Sequence, residues 1–368
     1  MSVLRHAVRL QGPGTQRALS VGPVPRILIV APNWIGDALM AQPLLARLRE
    51  KLPAARIEAL APPWVVPLLA HMPEVDEAIA APFAHGALAL GARWRLGRSL
   101  RARRYHQAIV LPNSWTSALV PLFADIPLRS GYVGESRYGL LNLLYRAPRR
   151  PHARPMVEHY AQLSEPPGKS PRAPLPEPRL KVDPAAVAAS ARAFGFAPPP
   201  KANVVLCPGA EYGPAKRWPA ERYGALGAAL AAQGAAVFLL GSTNDAAVCD
   251  AVEQASAGAA QSLAGRTTLA EAIALIAAAD VVVTNDSGLM HVAAALDRPQ
   301  VALFGSSSPE HTPPRSARAR VVWLRPECSP CFARHCPLGH FRCMTALEPA
   351  RVLAEIARLD MLGSAPHS

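Results

Sequence analysis

The chain has 368 residues, half of them hydrophobic, with 39 Lys and Arg against 26 Asp and Glu for a formal net charge of +13. That length is long for a single core and favours two domains, and the composition excludes a disordered chain. The charge favours acidic partners such as nucleic acid, an anionic membrane or a phosphorylated substrate, and does not choose among them.

No apolar run reaches the roughly 20 residues of a membrane span. Residues 1–25 lack the continuous apolar segment of a secretory signal, so they read as a poorly ordered extension of a cytosolic protein. Six cysteines in a chain of this size do not suggest a disulfide scaffold.

Residues 26–31, RILIVA, predict the first strand. The loop PNWIGD follows, then a helix from about Ala38 to Lys51 with Leu44, Leu45 and Leu48 on one face. Strands are expected at 56–60, 77–80, 107–111 and 128–132, with helical stretches between most of them. This alternation argues for a parallel, doubly wound α/β sheet. Residues 164–178 carry six prolines and read as part of an interdomain linker, 164–180.

A second series follows, with strands at 203–207, 235–240, 281–284, 300–304 and 319–324 and helices near 220–232, 245–257 and 268–279. An amphipathic helix at 349–360 closes the chain. The expected division is therefore an N-terminal domain 26–163, a C-terminal domain 181–345, and a final helix and tail 346–368. Neither half carries the glycine fingerprint of a standard dinucleotide site. Two such sheets facing each other place a site beyond the carboxyl ends of their strands.

Three strand-end loops carry chemistry. Gly36-Asp37 follows the first strand, where Asp37 reads either as helix-start chemistry or as a general base. In CPGAEYGPAKRWP, Glu211, Tyr212 and Lys216 follow the strand 203–207, and Lys216 offers a point charge to a phosphate. In VVVTNDSGLMHVAAAL the strand 281–283 runs into a polar turn and an Ala-rich helix expected from His291. Asp286 and Ser287 suit an N-cap. Asp286, Ser287, Gly288 and His291 together suit a diphosphate-sugar donor better: oxygens for sugar hydroxyls, N–H groups for phosphate, and room for close backbone approach. Gly241-Ser242, after strand 235–240, adds a weaker third loop to the same half.

Four stretches resemble the ADP-heptose:lipopolysaccharide heptosyltransferases of glycosyltransferase family 9: RILIVAPNWIGDALMAQPLL, LPNSWTSALVPLFADIPLRSGYVGESRYGLLN, CPGAEYGPAKRWP and TNDSGLMHVAAAL. The resemblance spans about residues 26–360. It implies a GT-B fold, with two facing Rossmann-like domains, the donor on the C-terminal one and the acceptor on the N-terminal one. It implies Asp37 as catalytic base and Lys216 as the donor-phosphate lysine. Asp286, Ser287, Gly288 and His291 fall on the donor loop, and Glu211 and Tyr212 beside the phosphates. The reaction implied is inverting transfer of L-glycero-D-manno-heptose from ADP-heptose to the first heptose of a lipid A–Kdo–heptose acceptor, at the inner face of the cytoplasmic membrane of a Gram-negative bacterium. Alternatives are a family member with a different sugar or acceptor, and a non-catalytic nucleotide-binding protein, which needs no base. Nucleic acid is disfavoured, because the aromatic–basic interleaving of single-strand binders is absent.

No D-x-D-like acidic pair stands out, so no catalytic metal or other cofactor is expected, and Lys216 with helix N-termini would stabilise the leaving ADP. Arg93, Arg95 and Arg98 lie in an arginine run ending at Arg104. With Arg129 and Arg137, they are candidates for the phosphates and carboxylates of the acceptor and for an anionic membrane surface. Cys328, Cys331, Cys336 and Cys343, spaced C-x2-C-x4-C-x6-C, suggest a structural zinc or else reduced cysteines near the cleft.

Overall fold

The computed structural model describes residues 24–83, 86–148, 152, 154–198 and 201–363. Most of the expected N-terminal extension (1–23) and the last five residues lie outside them.

The N-terminal unit is built on β1 (Arg26–Val30), β2 (Arg56–Ala61), β3 (Glu77–Ala80), β4 (Gln107–Val110), β5 (Leu128–Tyr132) and β6 (Leu143–Tyr145). Its helices include α1 (Ile35–Met40), α2 (Gln42–Lys51), α3 (Leu90–Leu100), α4 (Leu119–Phe123) and α5 (Met156–Ala161); α6 (Pro184–Ala193), beyond the proline-rich segment, packs on the C-terminal unit against Leu269–Ala278. The strands form one parallel sheet in the order β3-β2-β1-β4-β5-β6.

The C-terminal unit repeats the plan with β7 (Asn203–Cys207), β8 (Ala236–Leu239), β9 (Ala260–Ser262), β10 (Val281–Asn285), β11 (Gln300–Phe304) and β12 (Ala319–Trp323). Its helices include α7 (Ala220–Ala232), α8 (Ala246–Ala255), α9 (Leu269–Ala278), α10 (Gly288–Ala295) and α11 (Pro349–Gly363). These strands are also parallel, in the order β12-β11-β10-β7-β8-β9.

Both orders reverse between the first and fourth strands of their sheet, which opens a crevice at the strands' carboxyl ends. Every residue of β7, β10 and β11 is buried, as expected of β-branched strands covered on both faces. Val352, Ile356 and Leu359 on one side of α11 close the C-terminal core. Among the described residues no helix is long and apolar enough to cross a membrane.

Two expectations shift. The first helix begins at Ile35, three residues early, after Trp34, which caps it without a side-chain hydrogen bond. The proline-rich segment is a fastened strap more than a free linker. Gln42 of α2 both accepts from the Arg179 N–H and donates to its carbonyl. Arg47 donates to the carbonyls of Arg172 and Pro174, and Leu175 and Leu180 pack into the core.

Candidate functional site

The two units meet where α1 packs on α10, and glycine sets the spacing. A Cβ on Gly36 would lie 2.9 Å from the His291 ring, and one on Gly288 would lie 3.0 Å from the Ile35 Cβ. Separations of that kind force neighbours apart, so the two residues flanking the expected donor turn and base are fixed first by packing.

Asp37 sits in the first turn of α1, half-buried. Its Oδ1 accepts from the hydroxyl of buried Tyr160 on α5 at 3.2 Å. Burial raises the Asp37 pKa above the usual carboxylate value; the Tyr160 hydrogen bond and the charge of Lys216 oppose this, and Asp286 adds to it. A carboxylate of one unit therefore feels both charged residues of the other.

Lys216 closes the turn Pro214–Lys216 after β7. Its Nζ lies 2.6 Å from Asp286 Oδ2 and 5.1 Å from the Tyr212 ring centroid. Arg334 approaches the same ring at 5.1 Å, and the Tyr212 hydroxyl donates to the Phe332 carbonyl. The remaining Asp286 oxygen accepts from Thr312 Oγ1 at 3.3 Å. Lys216 and Asp286, expected to serve separate parts of a donor, are thus one ion pair.

The turn between β10 and α10 is held by Asn285. Its Nδ2 donates to the Pro208 carbonyl, and its Oδ1 accepts from the Trp218 N–H and the Tyr223 hydroxyl. This ties the ends of β7 and β10, the two strands that present Lys216 and Asp286. Ser287 takes the N-cap position of α10 without a side-chain cap bond, its Oγ lying 3.3 Å from Thr284 Oγ1. The helix begins at Gly288, three residues before the expected start.

Several expected contacts are otherwise engaged. His291 is buried against Gly36, and burial pushes its pKa down to about 4, so the ring is neutral packing. Ser242 donates from both N–H and Oγ to Asp245 Oδ2, and Gly241 has no room for a side chain beside Asp245; that loop is spent on its own cap. Glu211 is exposed, 3.5 Å from Asn244.

The N-terminal unit contributes a cavity of about 460 Å³ lined by Asn33, Trp64, Phe83, Arg93, Trp115 and Glu135 among others. The five candidate arginines divide. Arg93 faces this cavity, packs over Phe83, and donates to the carbonyls of Ala87, Leu88 and Thr116. Arg95 and Arg98 are exposed on α3 and do not line the cavity. Arg129 donates to the Leu140 and Ile126 carbonyls. Arg137 is fully buried and donates to the carbonyls of Pro112 and Tyr132 and to Ser117 Oγ; burial pushes its pKa down to about 10. Both guanidiniums brace loops, because buried carbonyls need donors; Arg137 is fully buried and Arg129 half-buried.

Cys328, Cys331, Cys336 and Cys343 line one small cavity of about 20 Å³ with His340. Cys336 Sγ accepts from the Phe341 N–H at 3.4 Å, and burial pushes the Cys343 thiol up to about 11. Among the described residues no three His, Cys, Asp or Glu side chains are arranged to hold a metal ion.

Sequence reasoning missed Tyr160, Thr312 and Asn285, none of which has a local signal beyond its type. It also missed a pair over the cleft: His311 Nε2 lies 3.0 Å from His152 Nδ1, and the His311 carbonyl accepts from the Met156 N–H.

The family model for glycosyltransferase family 9 (heptosyltransferase) matches residues 93–342. The chain is 44% identical over 343 residues to lipopolysaccharide heptosyltransferase 2 of Salmonella typhimurium, covering 91% of this chain and 98% of that protein. It is 46% identical to lipooligosaccharide heptosyltransferase 2 of Haemophilus influenzae over 81% of this chain and 88% of that one. A solved structure of E. coli ADP-heptose LPS heptosyltransferase II superposes with a TM-score of 0.83 at 42% identity, covering 92% of this chain and 100% of that one.

Proposed function

The chain belongs to glycosyltransferase family 9, the heptosyltransferase family, and from that premise we propose that it moves L-glycero-D-manno-heptose from ADP-heptose onto the first heptose of the lipopolysaccharide inner core. One observation carries the chemistry. Asp37, in the first turn of α1, lies at the packing of α1 on α10, the helix that follows Asp286 of the Lys216–Asp286 pair in the other unit. A single displacement with inversion needs a base on one side of the anomeric carbon and a cation on the other.

Asp37 takes the acceptor hydroxyl's proton as that oxygen bonds to the anomeric carbon. The bond from that carbon to the β-phosphate oxygen breaks, and the ADP leaves with its new charge beside Lys216. Asp286, held by Thr312 and Lys216, accepts from heptose hydroxyls once the donor phosphates draw Lys216 away. Lys216 takes the part a divalent cation plays elsewhere, so no metal enters the step. The acceptor occupies the cavity bounded by Trp64, Arg93 and Trp115, and its lipid sets the reaction at the inner face of the cytoplasmic membrane.

The test is transfer from ADP-heptose to acceptors carrying no heptose or one. Product from the one-heptose acceptor alone is expected. Product from the heptose-free acceptor instead assigns the chain a different acceptor within the family.

A further inference from the structure

Between Glu77 and Asp125 the chain has no Asp or Glu, while it carries six arginines. The structure sorts them. Arg93 turns inward to the cavity. Arg101 pairs with Asp125 at 2.8 Å, and Arg103 pairs with Glu58 and with Glu77. Arg95, Arg98 and Arg104 are exposed and have no ion pair among the described residues.

Beside them stand three large apolar side chains: Leu88, Leu90 and Trp94 are 49%, 50% and 51% exposed. Leu90, Trp94 and Arg98 are four residues apart on α3 and share one row of the helix. The Arg98 guanidinium lies 5.8 Å from the Trp94 ring centroid. Arg95 and Gly91 form the next row. A tryptophan and leucines among arginines, with no acid on the helix itself, is the composition of a helix lying at a lipid headgroup boundary. A protein partner would also cover leucines, but an unopposed cationic field with a tryptophan at its centre favours an anionic bilayer.

Position adds to this. Phe83, Gly86 and Arg93 of the same segment line the cavity assigned above to the acceptor. A lipid-borne acceptor seated there keeps its acyl end beside a membrane resting on α3.

We infer that the outer face of Leu88–Arg98, with Arg104, docks this enzyme on an anionic bilayer. Leu88, Leu90 and Trp94 enter the headgroup–acyl boundary, and Arg95, Arg98 and Arg104 pair with lipid phosphates. The inference deepens the proposed function, which supplies the lipid acceptor, but its test does not need turnover.

The full chain is sedimented with vesicles of phosphatidylcholine alone and of phosphatidylcholine with an equal part of phosphatidylglycerol. The wild type partitions to the anionic vesicles and is released by salt. Leu90→Ser/Trp94→Ser reduces partitioning at least about tenfold, and Arg95→Gln/Arg98→Gln reduces it by about fivefold per arginine. Leu88→Ser, outside the helix, gives a smaller loss in the same direction and serves if the helix variant melts early. Equal binding to neutral vesicles, or wild-type binding by Leu90→Ser/Trp94→Ser, overturns the inference. With a delipidated acceptor in water, Leu90→Ser/Trp94→Ser keeps the wild-type transfer rate; an equal loss there assigns the face to the reaction site and also overturns it. Failure of the wild type to transfer at all overturns the proposed function and leaves the vesicle result to decide the docking.

Discussion

The Lys216–Asp286 pair makes a prediction that separate roles for the two residues would not. At 2.6 Å, with side chains 16% and 3% exposed, the gross attraction at an effective dielectric of about 20 is about 6 kcal/mol. Desolvation offsets most of it, leaving a net of about 1–3 kcal/mol. A diphosphate that engages Lys216 must loosen this pair. Lys216→Ala is therefore expected to weaken ADP binding by about tenfold to a hundredfold, the worth of a hydrogen bond to a charged group. Asp286→Asn keeps the shape, removes the competing carboxylate, and is expected to leave ADP binding unchanged or tighten it by up to about tenfold while abolishing most transfer. In the double variant the Asp286→Asn gain disappears, because no lysine remains to be released. Calorimetry with ADP alone on the four proteins completes the cycle. Weaker ADP binding in Asp286→Asn, comparable with Lys216→Ala, refutes the competition and makes Asp286 a support for the lysine.

Other outcomes follow from the same geometry. Asp37→Asn is expected to lower turnover at least about a hundredfold with little change in ADP affinity measured by calorimetry. Tyr160→Phe removes a hydrogen bond that holds the Asp37 pKa down; the acid limb of the kcat/KM profile should move to higher pH, with the high-pH plateau retained. On the role proposed for Lys216 at the leaving phosphate, initial rates should survive EDTA, and elemental analysis of protein purified without a metal-affinity step decides whether the four cysteines hold zinc; immediate loss restored by magnesium refutes the role of Lys216. His291 stays neutral in the fold with its pKa near 4, so the stability it contributes is complete above the unfolded value of about 6.5 and falls between there and about 4 as the unfolded chain binds protons. Urea midpoints across that range test it, and His291→Asn should flatten the slope.

How much could be read beforehand depended on the distance along the chain over which each feature is determined. β1, β7 and β10 are short β-branched runs that announce themselves, and the polar loops at their ends carry Asp37, Lys216 and Asp286, which the fold brings to the meeting of the two units. The residues that tune those three come from far away. Tyr160 reaches Asp37 across 123 residues and Asn285 reaches Pro208 across 77, contacts that no spacing rule encodes. The prolines of 164–178 lie between β6, the last strand of one sheet, and β7, the first of the other. Their attachment to Gln42 and Arg47, across more than a hundred residues, was invisible. Arg137 is a charge in a motif-bearing loop whose partners in the fold lie outside that loop: the Pro112 and Tyr132 carbonyls and Ser117 Oγ.

The two glycines show why the motifs are shaped as they are. Gly36 precedes Asp37 and Gly288 follows Asp286 and Ser287, yet neither has a side chain of its own to offer. Each removes a Cβ from the crossing of α1 and α10, and that crossing sets how far Asp37 lies from Lys216 and Asp286. Asp37 and the Lys216–Asp286 pair belong to different units, so their separation is fixed by packing between units, where a side chain at either position would push them apart. A shift of about 1 Å in such a site can cost about a hundredfold in rate. Reading only the polar half of Gly36-Asp37 and Ser287-Gly288 therefore finds the candidate groups and overlooks the packing that sets the distance between them.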